Sequence, residues 1–575
     1  MPNFSTGLVR SFMPLANRMP DTLLTQNENR RSANYQSNLW THEFLQSLGK
    51  HLAVETLQER ATKLQEKVRL KINRTDMEPR SLLEFIDDVQ VQRLGLSYKF
   101  EEDINRALHR IVSTENFKDQ THKSLHETAL FFRILRQHGF HVSQDVFKSF
   151  QDEEGKFKAD VSEDVQGLLS LYEASYLAFE EESLWEEANA FSRTHLMNLM
   201  KEGIEGELGQ QVRHVLEGLP YHQSLHRLEA RWYIDTWDKK ESHNHDLLEL
   251  AKLDFNTIQS LNQKELQEMS RWWRDIGLAS KLNFVRDRLM ESFFWAMGIL
   301  PEPQFANCRK KLTEIAKLVT VLDDIYDVYG TLDELELFTD AVERWDVNTI
   351  NTLPDYMILC FLALYNTVNA IAYDIFKDRG VKCLPYLKKA FCDMLKCFLK
   401  EAKWSINKVI PSFNEYLENA WISSSGGIFL IYSFFLTCQD QDITEQTLHS
   451  LTNYHELMRS LCTIFRLSND LGTSTDEIER GETTNSVLCY LHETGVSEEN
   501  AREYLRTLID KAWKNINKYL VMDSTFPKSY VQVAINLARI AQCTYQYGDG
   551  FGRPDNKSKS RIESLLVHPV PVNEA

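Results

Sequence analysis

The sequence at residues 321–330, VLDDIYDVYG, places three carboxylates close together on one predicted helix. Asp323 and Asp327 are four residues apart, so their side chains project from the same helix face, one turn from each other. Asp324 lies beside them, and carboxylates gathered at a buried helix end repel one another unless a cation joins them. Such oxygen ligands suit Mg2+ or Mn2+. The alternative is a solvated acidic surface, and a second set of ligands is needed to decide.

Residues 469–477, NDLGTSTDE, supply a second set of oxygen ligands on another predicted helix. Asn469, Thr473 and Glu477 follow one another at intervals of four residues, so an amide oxygen, a hydroxyl and a carboxylate share one helix face. Together with water they can chelate a hard cation. A polar helix face can show this spacing by chance, but two oxygen-rich faces in one helical chain favour a metal site. Cations on both sides of a cavity suit a diphosphate, because they bridge phosphate oxygens and neutralise a leaving group.

Three arginines complete the predicted anion site. Arg286 and Arg288 precede the acidic run, and Arg466 lies three residues before Asn469 on the same predicted helix. Their charge would hold the diphosphate. The alternative for the first two is a solvated helix face, with Asp287 between them as an internal ion-pair partner.

The stretch Ser423–Gly427, SSSGG, interrupts an apolar helical pattern. Small residues and a double glycine weaken a helix and can leave backbone carbonyls unpaired. Such carbonyls could steady a cation inside a cavity. A simple break between two helices explains the stretch equally well.

The elements that position these side chains are helical throughout the chain, which predicts an all-α fold. Apolar residues recur at helical spacing, and signals for strands and hairpins are nearly absent. A chain of 575 residues is too long for one ordinary core, so we expect at least two domains. A polar run near residue 238 marks the boundary. The predicted divisions are a flexible extension over 1–29, an N-terminal helical domain over 30–238 and a C-terminal catalytic domain over 239–575.

Composition excludes several functional classes. The net charge of −18 argues against nucleic acid and against an anionic membrane surface as partners. Nine cysteines, an odd number without close spacing, indicate buried thiols rather than disulfides or structural zinc. No stretch is predicted to span a membrane, because the apolar run Ile428–Leu436 is too short. The first twenty residues contain no Asp or Glu, which is typical of a transit peptide, although an ordinary disordered terminus fits nearly as well.

From about Arg30 to its C-terminus, the chain resembles the plant terpene synthases, and in particular the monoterpene synthases of angiosperms. Four motifs of that family occur in the family's order. They are RRx8W at Arg30, Arg31 and Trp40, RxR at Arg286 and Arg288, DDxxD at Asp323, Asp324 and Asp327, and the second metal motif at Asn469, Thr473 and Glu477.

The resemblance implies an N-terminal α-barrel without catalysis of its own and a C-terminal class I terpenoid synthase helical fold. It implies three Mg2+ ions, with Mn2+ as a substitute, and a prenyl diphosphate that ionises to diphosphate and an allylic cation. The N-terminal half has no DxDD motif, so cyclisation started by protonation has no candidate acid. The enzyme is expected to be a monomer. The implied roles are metal binding by Asp323, Asp327, Asn469, Thr473 and Glu477, diphosphate binding by Arg286, Arg288 and Arg466, and a closing strap formed by Arg30, Arg31 and Trp40. Aromatic faces such as those of Trp272 and Tyr326 would stabilise the cation by cation–π contact.

Departures from the family pattern bear on substrate and product. Some cyclising members carry Lys at Asn485 and His at Phe551, and their loss favours an acyclic product such as ocimene, myrcene or linalool. Isoprene synthases narrow the pocket with two Phe. Here Phe465 matches one of them, whereas Ala316 stands at the other position, which disfavours isoprene.

The leading hypothesis is therefore a carbon–oxygen lyase that acts on geranyl diphosphate in a plastid. The rival is a cytoplasmic lyase that converts farnesyl diphosphate to farnesene or nerolidol, and it gains support if the leader is not a transit peptide. A chain-elongating prenyltransferase is disfavoured because such enzymes repeat DDxxD. A non-catalytic helical scaffold is disfavoured by the complete set of motifs.

Overall fold

The computed structural model describes residues 35–49, 54–86, 91–113, 124–237, 244–479, 484–522 and 524–572. Within these ranges the chain is helical, with no β-strand beyond a single isolated bridge between Gln151 and Phe157. The all-α prediction is confirmed. The predicted leader over 1–29, together with Arg30 and Arg31, lies outside the described residues.

The helices of the first half are α1 (His42–Ser47), α2 (Val54–Ile72), α3 (Pro79–Ile86), α4 (Glu101–Ser113), α5 (Leu125–Gln137), α6 (Val165–Ser175), α7 (Leu184–Lys201), α8 (Gly206–Glu217) and α9 (His226–Trp237). The second half begins with α10 (His245–Ile276), α11 (Leu278–Lys281), α12 (Leu289–Ile299), α13 (Ala306–Asp324), α14 (Leu332–Arg344), α15 (Asp355–Arg379), α16 (Leu384–Asn407) and α17 (Phe413–Ser423). It ends with α18 (Gly426–Thr437), α19 (Glu445–Thr452), α20 (Glu456–Glu479), α21 (Ser486–Thr494), α22 (Glu498–Val521), α23 (Lys528–Tyr545) and α24 (Asn556–Leu566).

The two halves of the chain pack directly on each other. His222 shares a hydrogen bond of 2.7 Å with the Asn517 side chain of α22, and Arg539 of α23 donates to the His222 carbonyl at 2.9 Å. The boundary predicted near residue 238 falls between α9 and α10, just past the last described residue of α9, so the domain limits stay a prediction.

The second half is built around buried helices that fix the walls of one cavity. Every residue of α12 is buried, and α13 packs between it, α15 and α18. A buried ion pair anchors the start of α13 to α10, because Arg309 binds both oxygens of Glu265, at 2.8 and 2.7 Å. On the opposite side α20 packs against α17, α22 and α23. The helices that carry the predicted ligands are therefore held by extensive packing.

Among the described residues, two stretches are long and apolar enough to cross a membrane by length and composition, Asp355–Arg379 and Phe413–Thr437. In the most apolar window of the second, 83% is buried inside the protein, and in that of the first 50% is buried. The second stretch is also not continuous, because Ser425 takes a left-handed conformation (φ 65°) between α17 and α18. Packing in the protein core accounts for its apolar sequence.

Candidate active site

Both predicted metal motifs open into one cavity of about 700 Å3. Asp323 and Asp327 lie on one wall, where α13 widens after Asp324 into a π-helical turn over Ile325–Tyr329. A capping box at Thr331 then starts α14 and ends the motif. Such π-turns often occur at functional sites, because they reposition side chains relative to a regular helix. The opposite wall carries Asn469, Thr473 and Glu477 of α20.

Arg286 connects the acidic wall to a buried carboxylate. Its guanidinium pairs with Asp323 and with Asp324, whose nearest oxygen lies 2.7 Å from Arg286 Nε. The Arg286 backbone N–H donates to the second Asp324 oxygen, also at 2.7 Å. Asp324 is fully buried, and burial raises its pKa while the charge of Arg286 opposes that rise. Asp324 therefore fixes the position of the arginine, whereas Asp323 and Asp327 face the cavity.

A buried lysine supports the same arginine from behind. Lys317 Nζ donates to the Arg286 carbonyl at 3.2 Å and lies 4.2 Å from the centre of the Trp273 ring. Burial lowers the pKa of Lys317 to about 8, against the opposing effect of neighbouring carboxylates. Burial also raises the pKa of the nearby Glu291 to about 7. The arginine is thus set into a buried polar cluster that holds its backbone and its side chain.

The second wall is ordered by a residue that precedes α21. Asn485 donates from its amide nitrogen to Glu477 at 3.0 Å, and its amide oxygen accepts from Leu488 N–H at 2.9 Å as the N-cap of α21. The Thr473 hydroxyl donates to the Asn469 carbonyl at 3.0 Å, which leaves oxygen lone pairs of the hydroxyl for a ligand.

Arg466 lies on the same face of α20, at the edge of the cavity. Its Nε donates to the Ala420 carbonyl at 3.1 Å, and its Nη2 donates to the Ser423 hydroxyl at 3.0 Å. Its Nη1 contacts Asn469 Oδ1 at 3.2 Å and the buried Asp470 at 3.4 Å. Both Arg286 and Arg466 therefore line the cavity with their guanidinium groups held from several directions.

The structure does not bring Arg288 to the cavity with the other two arginines. Its Nη2 donates to the carbonyls of Gln36 and Gly552, at 2.8 and 2.9 Å, and its side chain is buried. The predicted role of Arg288 in holding diphosphate therefore stays a prediction. Arg288 joins the segment before α1 to the loop after α23 by hydrogen bonds.

The aromatic wall of the cavity consists largely of residues that the sequence did not single out. Trp295 of α12 lies at its centre, with ring centroids 4.6 Å from Phe465 and 6.1 Å from Phe429. Tyr326 also lines the cavity, and its hydroxyl is tied to Thr339 at 2.7 Å. The remaining lining aromatics among the described residues are Tyr35, Phe398, Tyr416, Tyr545 and Phe551.

Trp272 is absent from the described lining of this cavity, and its role at the cation stays a prediction. Its ring packs against the neighbouring Trp273. Aromatic residues two helices apart, Trp272 on α10 and Trp295 on α12, were equally plausible by type, and the apolar run FFW at 293–295 was the available signal.

Of the three residues predicted to form the strap, only Trp40 lies among the described residues. This residue is buried, contacts Phe44 with ring centroids 5.5 Å apart, and follows Asn38, which donates to Asp287 at 2.9 Å. Tyr35 lines the cavity with its ring 4.7 Å from the Arg286 guanidinium carbon. The segment from Tyr35 to Trp40 therefore meets the Arg286–Arg288 tripeptide.

The donor chemistry of the two walls fits hard divalent cations. All five predicted ligands offer oxygen, and none offers sulfur or imidazole. In the described residues no group of three or more His, Cys, Asp or Glu side chains is close enough to hold one ion. Each wall would therefore need phosphate oxygens and water to complete a coordination shell, as expected for Mg2+ bound with a diphosphate.

Two protein-family profiles match this chain. The terpene synthase N-terminal domain profile matches residues 39–216, and the profile of the terpene synthase family metal binding domain matches residues 274–515. The chain is 62% identical over 557 residues to the chloroplastic isoprene synthase of Pueraria montana var. lobata, covering 96% of this chain and 91% of that protein. It is 46% identical over 546 residues to the chloroplastic myrcene synthase of Quercus ilex, with coverages of 95% and 90%. The crystal structure of isoprene synthase from grey poplar leaves with three Mg2+ ions and dimethylallyl-S-thiolodiphosphate matches with a TM-score of 0.85 at 52% identity, over 93% of this chain and 99% of that one.

Proposed function

Because the chain belongs to the terpene synthase family, we propose that it is a Mg2+-dependent lyase that ionises geranyl diphosphate. Diphosphate is released, and the ten-carbon cation loses a proton or captures water to give an acyclic monoterpene of the ocimene, myrcene or linalool type. The observation that carries this proposal is the small side chain of Ala316 in the cavity wall.

Ala316 lies at the level of the cavity that a ten-carbon chain would reach. It lines the cavity on the same face of α13 as Asp323, seven residues earlier, which is two turns or about 10 Å along the helix axis. An isoprene unit extends by about 5 Å, given C–C bonds near 1.5 Å. The second unit of a geranyl chain therefore reaches the level of Ala316, where a methyl group leaves room for it.

The residues of the two walls would hold the substrate by its diphosphate. Asp323 and Asp327 on one side, and Asn469, Thr473 and Glu477 on the other, would bind the metal ions. Three Mg2+ ions accompany the diphosphate analogue in the grey poplar enzyme, and ions so placed neutralise charge on the leaving group. Arg286 and Arg466 would bind phosphate oxygens directly and keep the departed diphosphate beside the cation, where it can accept a proton.

The apolar part of the cavity would protect and steer the cation. Trp295, Phe429 and Phe465 present aromatic faces that stabilise positive charge and exclude bulk water. Phe551 stands where some cyclising relatives have a histidine, and it offers no base or hydrogen bond. These features favour early loss of a proton over ring closure.

Isoprene synthase is the second candidate, favoured by the 62% identity to the Pueraria enzyme and by Phe465 in the cavity wall. Ala316 opposes it, because a five-carbon substrate would leave the lower part of the cavity unfilled.

The relatives named above are chloroplastic, and we place this enzyme in the plastid as well. We also propose that the enzyme is a monomer, which light scattering would test.

The test is incubation of the purified protein with dimethylallyl, geranyl or farnesyl diphosphate and Mg2+, with Mn2+ in parallel. Gas chromatography–mass spectrometry of the headspace identifies the products. We expect the highest kcat/KM for geranyl diphosphate and an acyclic ten-carbon product. Preference for dimethylallyl diphosphate with isoprene as product would replace the proposal by the second candidate, and preference for farnesyl diphosphate would overturn both.

A further inference from the structure

A carboxylate of α16 lies in the cavity wall without a role in either metal motif. Glu401 lines the cavity next to Phe398 and Ala402 of the same helix. Burial raises the pKa of Glu401, and the charge of Arg466 opposes the rise. A buried carboxylate is costly unless hydrogen bonds satisfy it, so its partners indicate its purpose.

Both hydrogen bonds of Glu401 come from α17 and meet at one oxygen. Oε1 accepts from Asn419 Nδ2 at 2.9 Å and from the Ser423 hydroxyl at 2.5 Å. Ser423 is the last residue of α17, immediately before the break with the left-handed Ser425. The carboxylate therefore holds the end of α17 at the point where the chain turns into α18.

The Ser423 hydroxyl passes this contact on to an arginine. A hydroxyl has one hydrogen, and when it donates that hydrogen to Glu401 its lone pairs face other donors. Arg466 Nη2 donates to the same oxygen at 3.0 Å. The contact of the hydroxyl with Glu401, at 2.5 Å, is shorter than its alternative contact with the Ala420 carbonyl, at 3.3 Å. With the hydrogen on the Glu401 side, the donors run from Arg466 to Ser423 to Glu401 and link α20, α17 and α16.

The hydrogen bonds of Arg466 show which of its N–H donors is left to bind a ligand. A guanidinium has five N–H donors. The Nε hydrogen goes to the Ala420 carbonyl, Nη1 contacts Asn469 and Asp470, and one Nη2 hydrogen goes to Ser423. The second Nη2 hydrogen makes no hydrogen bond within the described residues, and the Ser423 bond fixes its direction.

We propose that Glu401 is a positioning residue for diphosphate binding, acting on Arg466 through the Ser423 hydroxyl. The proposal rests on the proposed function, since it takes Arg466 as a ligand of the diphosphate. Glu401 needs only an acceptor oxygen for this role. A glutamine should therefore serve nearly as well as a glutamate, and a leucine should not.

The experiment measures binding of inorganic diphosphate with Mg2+ by isothermal titration calorimetry. The variants are Glu401→Gln, Glu401→Leu, Ser423→Ala and the double variant Glu401→Leu/Ser423→Ala. Glu415→Leu is the matched control, because this glutamate lies exposed on the first turn of α17, where its side chain pairs with Lys400. Thermal melting of every variant reports on folding.

We expect Glu401→Leu and Ser423→Ala each to weaken diphosphate binding about tenfold, as for one charge-assisted hydrogen bond lost. The double variant should bind diphosphate with the same affinity as either single variant, because all three break the same connection between Glu401 and Arg466. Glu401→Gln should bind within about threefold of wild type, and Glu415→Leu like wild type. If Glu401→Leu fails to fold, Ser423→Ala still tests the link, since it deletes only a hydroxyl.

Wild-type affinity in Ser423→Ala, or independent effects that multiply in the double variant, would overturn the proposal. Weak binding by Glu401→Gln equal to that of Glu401→Leu would also overturn it, because the charge rather than the acceptor would then matter. Inorganic diphosphate carries no prenyl chain, so the result does not depend on which prenyl substrate is preferred. Absence of binding by the wild type would instead refute the diphosphate clamp itself.

Discussion

Ala316→Phe should shift the substrate preference from geranyl to dimethylallyl diphosphate. The Ala316 methyl group lines the cavity two helical turns below Asp323, so a phenyl ring there would project into the space for the second isoprene unit. The ring has about the bulk of that unit. The part of the cavity next to the metal ligands would keep its shape, because the substitution lies about 10 Å away along the helix.

The magnitude follows from the five carbons that lose their place. Burial is worth about 0.8 kcal/mol for each carbon, or roughly 4 kcal/mol for the unit. Since about 1.4 kcal/mol corresponds to tenfold in rate, kcat/KM for geranyl diphosphate should fall about a thousandfold. The value for dimethylallyl diphosphate should stay within about threefold of wild type, because a five-carbon chain ends above the ring.

The assay compares kcat/KM for the two substrates by product formation, with Ala316→Ser as a control of nearly unchanged size and Ala316→Val as an intermediate. Val should give an effect between those of Ser and Phe. Melting temperatures would reveal overpacking, which typically costs about 1–3 kcal/mol. If a folded Ala316→Phe variant turns over geranyl diphosphate within threefold of wild type, the chain does not reach this level and the reasoning is refuted.

Three further outcomes follow from the buried groups around the cavity. Asp324→Asn should lower the free energy of unfolding by about 2 kcal/mol, because Arg286 loses one of its two carboxylate partners. In contrast, Asp323→Asn should abolish Mg2+-dependent turnover with a melting temperature within about 2 °C of wild type, and equal destabilisation of the two variants would contradict this division. Glu291→Gln should flatten the dependence of melting temperature on pH. The native pKa of about 7 lies above the ordinary 4.5, so the wild type loses stability as pH rises from 4.5 to 7. The same slope of melting temperature against pH in both proteins would argue against a buried acid. Trp295→Ala should lower kcat about thirtyfold, as for ~2 kcal/mol of cation–π stabilisation, whereas Trp272→Ala should leave kcat and products unchanged. If Trp272 stabilises the cation, as the sequence suggested, gas chromatography would show the loss of product in Trp272→Ala and not in Trp295→Ala.

The local features of the site were predictable because they depend on helix periodicity alone. Spacings of four residues place Asp323 with Asp327, and Asn469 with Thr473, whatever the rest of the chain does. The resemblance then supplied the pairing of the two helices, and the structure brings both faces to one cavity. The all-α fold was equally accessible, since strand signals are nearly absent from the sequence.

The direction of a side chain within the folded protein was not predictable in the same way. Arg286 and Arg288 are two residues apart and follow one motif, yet one lines the cavity and the other binds backbone carbonyls of Gln36 and Gly552. The helix α12 begins only at Leu289, so no periodicity constrains these two residues. Their directions are decided by partners far away in the sequence, which only the tertiary structure reveals.

Asn485 shows how a substitution can be misjudged when only its loss is considered. From the family resemblance we expected this asparagine, where some cyclising members carry lysine, to remove a cation and so to favour an acyclic product. The structure adds a gain, because the amide both donates to Glu477 and accepts from Leu488 as a helix cap. A lysine can donate to the glutamate but has no acceptor for the cap. The same residue therefore affects both the charge in the cavity and the position of a predicted metal ligand, so a change of product in an Asn485 variant would reflect both effects.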